Sequence, residues 1–254
     1  MKIVIVGGTG LIGAKLVNRL SGSGYEVLSA SPASGVNTIT GEGLDEALKD
    51  ADVVVDVTNP PFFKGESALE FFETSGRNLL AAGAAAGVKH HVVLSVVGTD
   101  RLQDSNYFRA KMAQENLVRH SGIPFTIVHS TQFFEFVGAI ARSGIQVDVI
   151  RMSPAFVQPI ASDDVVEFMA GIIIGNPVNE ITEVAGPEKF RLDELVRKYL
   201  AAVQDEHEVI TDITTPYFGA MLNEETLVPA GAAQLGMVRY EDWINQPDNR
   251  QLLK

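Results

Sequence analysis

Short runs of aliphatic and β-branched residues alternate along the chain with longer stretches whose apolar positions recur every three or four residues. The first pattern predicts buried strands and the second predicts amphipathic helices. Strands are expected at Lys2 to Val6, Glu26 to Ser29, Asp52 to Val57, His91 to Ser95 and Phe125 to His129, with helices at Leu11 to Ser21, Ser67 to Ala86 and Asn106 to Ser121. Each helix stops at a glycine, within Gly22 to Gly24, at Gly87 and at Gly122, where a left-handed residue closes the last turn. Alternation of this kind builds βαβ units, hence a mostly parallel sheet whose right-handed crossovers put helices on both faces. After His129 the rhythm loosens. A strand from Ile145 to Ile150 and helices from Ser162 to about Gly175 and from Asp193 to Val203 are still readable. Ser162 and Asp193 read as helix N-caps, with Asp163, Asp164 and Glu194 at the positive ends of the helix dipoles, which makes these acids structural. The mixed tail from His207 to Lys254, with Trp243 as the only tryptophan, reads as a packed cover on the substrate side.

Composition narrows the function classes. With 254 residues, 46% of them hydrophobic, the chain can bury one large core or one α/β unit with a smaller appendage. There is no cysteine, so disulfides, thiolate metal sites and cysteine nucleophiles are excluded, and a reducing cytoplasm is the expected location. A formal net charge of −12 without a cluster of Lys and Arg argues against nucleic acid as a partner. The apolar run after Met1-Lys2 is too short for a signal segment or a membrane span, so no membrane partner is expected and Ile3 to Val6 reads as a buried strand.

The loop Gly7-Gly8-Thr9-Gly10-Leu11-Ile12-Gly13 directly follows the first strand and opens the first helix. In that context Gly7 permits a tight turn, Gly10 lets a pyrophosphate approach the backbone, and Gly13 lets the helix pack against the strand, while the amides of Thr9, Leu11 and Ile12 complete an anion site at the helix N-terminus. The expected fold class is therefore α/β, a Rossmann-type doubly wound parallel sheet with a smaller C-terminal substrate-side subdomain. Residues 1–137 form the NAD(P)-binding domain, and residues 138–254 return to the core and cover the substrate side. The second strand ends in Ser29-Ala30-Ser31-Pro32 with no carboxylate to bind a ribose 2′-hydroxyl, which favours NADP, with NAD as the other possibility. Ser29, Ser31 and Lys15 are candidate phosphate partners, although both serines read equally well as turn formers. Thr58 and Asn59, after the third strand, are candidates for ribose or phosphate contacts. Phe62 and Phe63 with Phe133, Phe134 and Phe136 either line an apolar pocket or, the commoner outcome beside a turn, belong to the core. His90 and His91 lack a third ligand at suitable spacing, so no metal is expected.

Tyr107 and Lys111, four apart on one helix, share a face. A nearby ammonium would lower the phenol's pKa and make it a general acid or base for a carbonyl and alcohol pair. Ser95, ending the preceding strand, can hydrogen-bond the same substrate oxygen. Here the chain resembles the atypical short-chain dehydrogenase/reductase superfamily, and within it the NmrA-like NAD(P)-binding family. The resemblance covers roughly residues 1 to 200. It rests on GGTGLIG, on Leu94-Ser95-Val96-Val97-Gly98 with Tyr107 twelve positions after Ser95, and on Lys111-xxx-Glu115. Ser121-Gly122-Ile123-Pro124-Phe125-Thr126-Ile127-Val128 and Val157-Gln158-Pro159-Ile160 before Asp163-Asp164-Val165 add to it. Two departures stand out: His129 replaces the usual arginine, and Ser130-Thr131-Gln132-Phe133 replaces the Pro-Gly segment. The resemblance implies a Ser95, Tyr107, Lys111 catalytic set, with Lys111 also holding the ribose.

The leading expectation is an NAD(P)H-dependent oxidoreductase acting on a carbonyl or similar group of a small molecule. Many NmrA-like proteins bind the cofactor, lack the tyrosine and act as redox sensors, so the alternative is a non-catalytic NADP(H) sensor with a protein partner. Nucleotide-sugar epimerisation or dehydration ranks third, because the chain after His129 is short for such a site. Substrate identity and oligomeric state stay open.

Overall fold

The computed structural model describes residues 1–60, 67–247 and 249. In chain order the first half contains β1 (Lys2–Val6), α1 (Leu11–Gly22), β2 (Glu26–Ala30), α2 (Leu44–Leu48), β3 (Val53–Asp56), α3 (Ser67–Ala86), β4 (His90–Val96), α4 (Asn106–Arg119) and β5 (Phe125–Ser130). There follow α5 (Val137–Ser143), β6 (Ile145–Gln146), β7 (Val149–Met152), β8 (Phe156–Val157), α6 (Ser162–Ile174), β9 (Ile181–Ala185), β10 (Phe190–Arg191), α7 (Leu192–Val203), β11 (Glu208–Thr211), β12 (Gln234–Leu235) and α8 (Tyr240–Ile244). A seven-stranded sheet takes the order β12-β9-β5-β4-β3-β1-β2, a Rossmann-like arrangement. Ile3, Val4 and Ile5 are wholly buried, as a strand covered on both faces requires. Gly24, Gly87 and Gly122 all take positive φ, so the helix stops read from the sequence are left-handed residues.

Two compact units interleave along the chain. The first comprises Met1–Ser95, Asn106–His129 and Val166–Thr182, and the second comprises Val96–Ser105, Ser130–Val165 and Glu183–Lys254. In the first, β1 pairs in parallel with β2 and β3, and the register sets Val6 beside both Ala30 and Asp56. All three strands therefore end at one level, and the segments that follow them emerge together. Val4, Val54, Val93, Leu79, Val118 and Ile127 belong to one core cluster. In the second unit β6, β7 and β11 form a three-stranded sheet, while Phe134, Tyr240 and Trp243 pack ring against ring. No helix among the described residues is long and apolar enough to cross a membrane.

Three expectations for the second half need correction. The strand from Ile145 to Ile150 is a hairpin, with Ile145 opposite Ile150 and Gln146 opposite Val149. Its turn places Val147 at φ 57°, 89% exposed; a two-residue hairpin turn needs positive φ, and without a glycine or asparagine first in the turn the run reads as unbroken. Asp193 is not an N-cap. Arg191 holds that position, and the buried Asp193 accepts hydrogen bonds from Arg197 and Thr211 instead. Ser162 lies within α6, and its hydroxyl donates to Glu135.

Candidate functional site

The glycine loop occupies the edge where β1, β2 and β3 end. Gly7 takes φ 84°, and a Cβ there would lie 3.0 Å from the Val57 carbonyl group. At Gly13 a Cβ would stand 2.1 Å from the Gly7 oxygen, so α1 lies against the loop as closely as a glycine allows. Gly10 is the N-cap of α1, and no side chain caps that end. Thr9 and Gly10 are exposed, Leu11 is at the surface and Ile12 is buried. A helix N-terminus left to its own amides, beneath an open glycine turn, suits a phosphate group, so the residues present fit the pyrophosphate of a dinucleotide.

At the end of β2 the Ser29 hydroxyl oxygen packs on Gly8, 2.3 Å from where a Cβ would stand. Ser31 is buried and forms a capping box with Ser34 around the short turn Pro32–Ser34. Its oxygen accepts the Ser34 amide, and its O–H can still donate to a ligand. Beyond β3, Thr58 donates through its amide and its hydroxyl to Asp56, at 3.0 and 2.7 Å. Asn59 accepts a hydrogen bond of 3.3 Å from the Tyr107 hydroxyl. The glycine loop, Thr58, Asn59 and Tyr107 are thus brought to one sheet edge within the first unit. Phe62 and Phe63 lie outside the described residues.

Around α4 the chemistry departs from the expected pattern. The Tyr107 ring packs edge-on against Phe72 and Phe108. Burial raises its phenol pKa, so the expected lowering by Lys111 is corrected: losing contact with water penalises the tyrosinate. Lys111 is 3% exposed. Its ammonium donates to the Leu94 carbonyl and to Gln114, and sits 4.6 Å from the centre of the Phe72 ring. Burial lowers its pKa to about 8, against the attraction of Asp56 and Glu115. Ser95 donates its hydroxyl proton to Glu115. While that bond lasts, Ser95 has no proton to offer a substrate oxygen.

Sequence reasoning missed Asp56, Gln114 and Glu115 as members of one buried polar network. Gln114 passes its amide hydrogen to Asp56 at 2.8 Å while accepting from Lys111. Glu115, fully buried, also accepts from His129 at 2.8 Å and from Arg119 at 2.9 Å. His91 feels the charge of Asp56, although burial dominates and lowers its pKa. The available signal was polar spacing: 111, 114 and 115 share a helix face, but a polar stripe normally reads as solvated.

Burial raises the Glu115 carboxyl, yet hydrogen bonds and charge from His129, Ser95 and Arg119 outweigh it and leave its pKa below the ordinary 4.5. Glu115→Gln should therefore cost about 1.5–3 kcal/mol at neutral pH, the range for hydrogen bonds to a charged group. The unfolded chain takes up this proton first as pH falls. The stabilisation is accordingly complete above about 4.5 and is lost as pH drops through the lower folded value. Urea unfolding of both proteins at pH 7 and below pH 4 checks this; an equal gap at both would refute it.

Residues 7–174 match the model of a family described as NAD(P)H-binding. A search of curated protein sequences gives no match. Among solved structures, a short-chain dehydrogenase/reductase superfamily protein from Agrobacterium tumefaciens with bound NAD superposes with a TM-score of 0.72 at 14% identity, covering 99% of this chain and 97% of that one. RMD from Pseudomonas aeruginosa complexed with NADPH gives 0.66 at 15% identity, again over 99% and 97%. An NADPH-dependent quinone oxidoreductase from Escherichia coli gives 0.59 at 17% identity, over 83% and 78%. At these identities the likeness is one of fold.

Proposed function

Since the chain belongs to the NAD(P)H-binding family, whose model spans residues 7–174, we propose that it is an oxidoreductase reducing a carbonyl, or a similar acceptor, on a small, partly apolar molecule. Its cofactor is NAD(P). When bound, NAD(P)H supplies the hydride. Residues 1–137 are read as the cofactor-binding part and residues 138–254 as the part that returns to the core and covers the substrate side, and Lys15, Ser29, Ser31, Thr58 and Asn59 are read as cofactor contacts.

The observation that carries this reading is Tyr107, a phenol kept protonated by burial and tethered to Asn59 on the edge that holds the glycine loop. A protonated group at that edge can give its proton to the oxygen of a carbonyl as it is reduced. Lys111 acts through its charge from inside α4. Ser95, its own proton committed to Glu115, belongs to the buried polar network beside α4 and is given no contact with the substrate oxygen. Oxidation of NADPH in the presence of a panel of aldehydes, ketones and quinones tests the reading.

A second reading, a binder of NADP(H) that performs no turnover, is favoured by the inward hydrogen bonds of Lys111 and Ser95. It predicts tight NADPH binding with no oxidation across the panel. Cofactor preference is a separate matter: no carboxylate stands at Ser29 to Ser31 to repel a 2′-phosphate, so NADPH should bind at least as tightly as NADH. Fluorescence titration measures both, and a clear preference for NADH would overturn it.

A further inference from the structure

In the second unit, the segment after β5 is fastened through its backbone, and several of its buried side-chain polar atoms are left unmet. The Thr131 amide donates to Val184, the Gln132 carbonyl accepts from Ile160, and the Phe134 amide donates to Ile160, all within 3.1 Å. Yet Thr131 Oγ1, both amide atoms of Gln132 and Glu135 Oε2 are buried without a hydrogen-bond partner among the described residues. Gln132 is the sharpest case. It is 7% exposed; Phe133 and Phe134 after it and Ile160, whose amide its carbonyl accepts, are buried and apolar, and Thr131 before it is buried too. The chain satisfies its other buried glutamines: Gln114 bridges Lys111 and Asp56, and Gln158 donates to the Gly186 carbonyl. Leaving a buried polar group unmet costs about 1–3 kcal/mol, and such groups are normally paired. Gln132 also lies two residues past the carboxyl end of β5, the end of a parallel strand at which α/β sheets bind ligands.

We propose that Gln132 is the recognition point for a ligand that presents a hydrogen-bond donor and acceptor side by side, a carboxamide or lactam. The planar side-chain amide offers N–H and C=O together, so such a group closes both in one paired contact. A ketone, aldehyde or quinone offers acceptors only and leaves Oε1 unmet, which a site built around a polar pair discriminates against. The amide is assigned to the substrate rather than to the cofactor's own carboxamide, which the titration below tells apart; only in calling this molecule the substrate does the proposal rest on the reductase reading.

The test is binding, which stands whether or not turnover is found. With saturating NADPH, calorimetric titration of the full chain with benzamide and with acetophenone should show the amide binding at least about tenfold tighter, the value of one hydrogen bond. Gln132→Met, similar in shape and apolar, should erase that difference, leave the NADPH Kd unchanged and leave the melting temperature unchanged or raised. Equal binding of the two probes by the wild-type protein would overturn the proposal without any variant. A lowered melting temperature with discrimination intact would make Gln132 a water-satisfied part of the fold, and a weakened NADPH Kd would make the cofactor's own amide the partner. Either result also overturns it.

Discussion

Tyr107→Phe is expected to lower turnover of any accepted carbonyl by about 10²- to 10⁴-fold, the usual contribution of a positioned acid, with cofactor affinity retained. The ring contacts with Phe72 and Phe108 survive the change; what goes is the hydroxyl and its bond to Asn59. Because burial raises the phenol's pKa, its proton stays in place through neutral pH, and the first ionisation felt on the alkaline side belongs to Lys111 at about 8. Wild-type kcat should accordingly fall as pH rises through about 8. Stability moves the other way. The folded pKa of Lys111 lies below its ordinary 10.5, so between about 8 and 10.5 the unfolded chain holds more protons and stability rises with pH. Opposite pH trends for kcat and for the unfolding free energy separate a working ammonium from a structural one. Tyr107→Phe as active as wild type would end the acid assignment.

Gly10→Val should weaken NADPH binding by roughly 10²- to 10⁴-fold, the cost of losing two hydrogen bonds to a charged group, while leaving the fold intact. A Cβ at Gly10 meets nothing nearer than the Gly7 oxygen at 3.4 Å, an ordinary contact, whereas at Gly13 it would stand 2.1 Å from the same oxygen. The Gly10 backbone, at φ −78° and ψ 179°, is open to a β-branched residue. What valine intrudes upon is the space over the loop amides, which the chain itself does not fill. Unchanged melting temperature with lost NADPH binding is the expected pair of results; a folded variant that binds as wild type would remove the pyrophosphate from this loop.

The parallel sheet and its helices were legible because their signals are local: short continuous apolar runs, period-3.6 burial, and glycine at each helix stop. The loop Gly7 to Gly13 was legible for the same reason, as its strand and helix are adjacent in sequence. The polar network was not. Lys111, Gln114 and Glu115 form a stripe that periodicity assigns to solvent, and only contacts with Leu94, Asp56, Ser95 and His129 from other elements make that stripe an interior one. The phenol's pKa was misjudged in sign because i, i+4 spacing predicts a neighbour but not the loss of water, which dominates here. Asp193 shows the same limit: its hydroxyl partner, Thr211, lies eighteen residues on, beyond the reach of capping rules.

The interleaving of the two units bears on how the chain is made and recombined. The first unit lacks its last segment, Val166–Thr182, until two of the second unit's three segments have been made, so during synthesis the nascent chain carries an incomplete first unit. By the same connectivity, a single crossover with a homologous gene anywhere between codons 96 and 182 would build both units from mixed parentage, and a modular exchange of one unit needs several junctions.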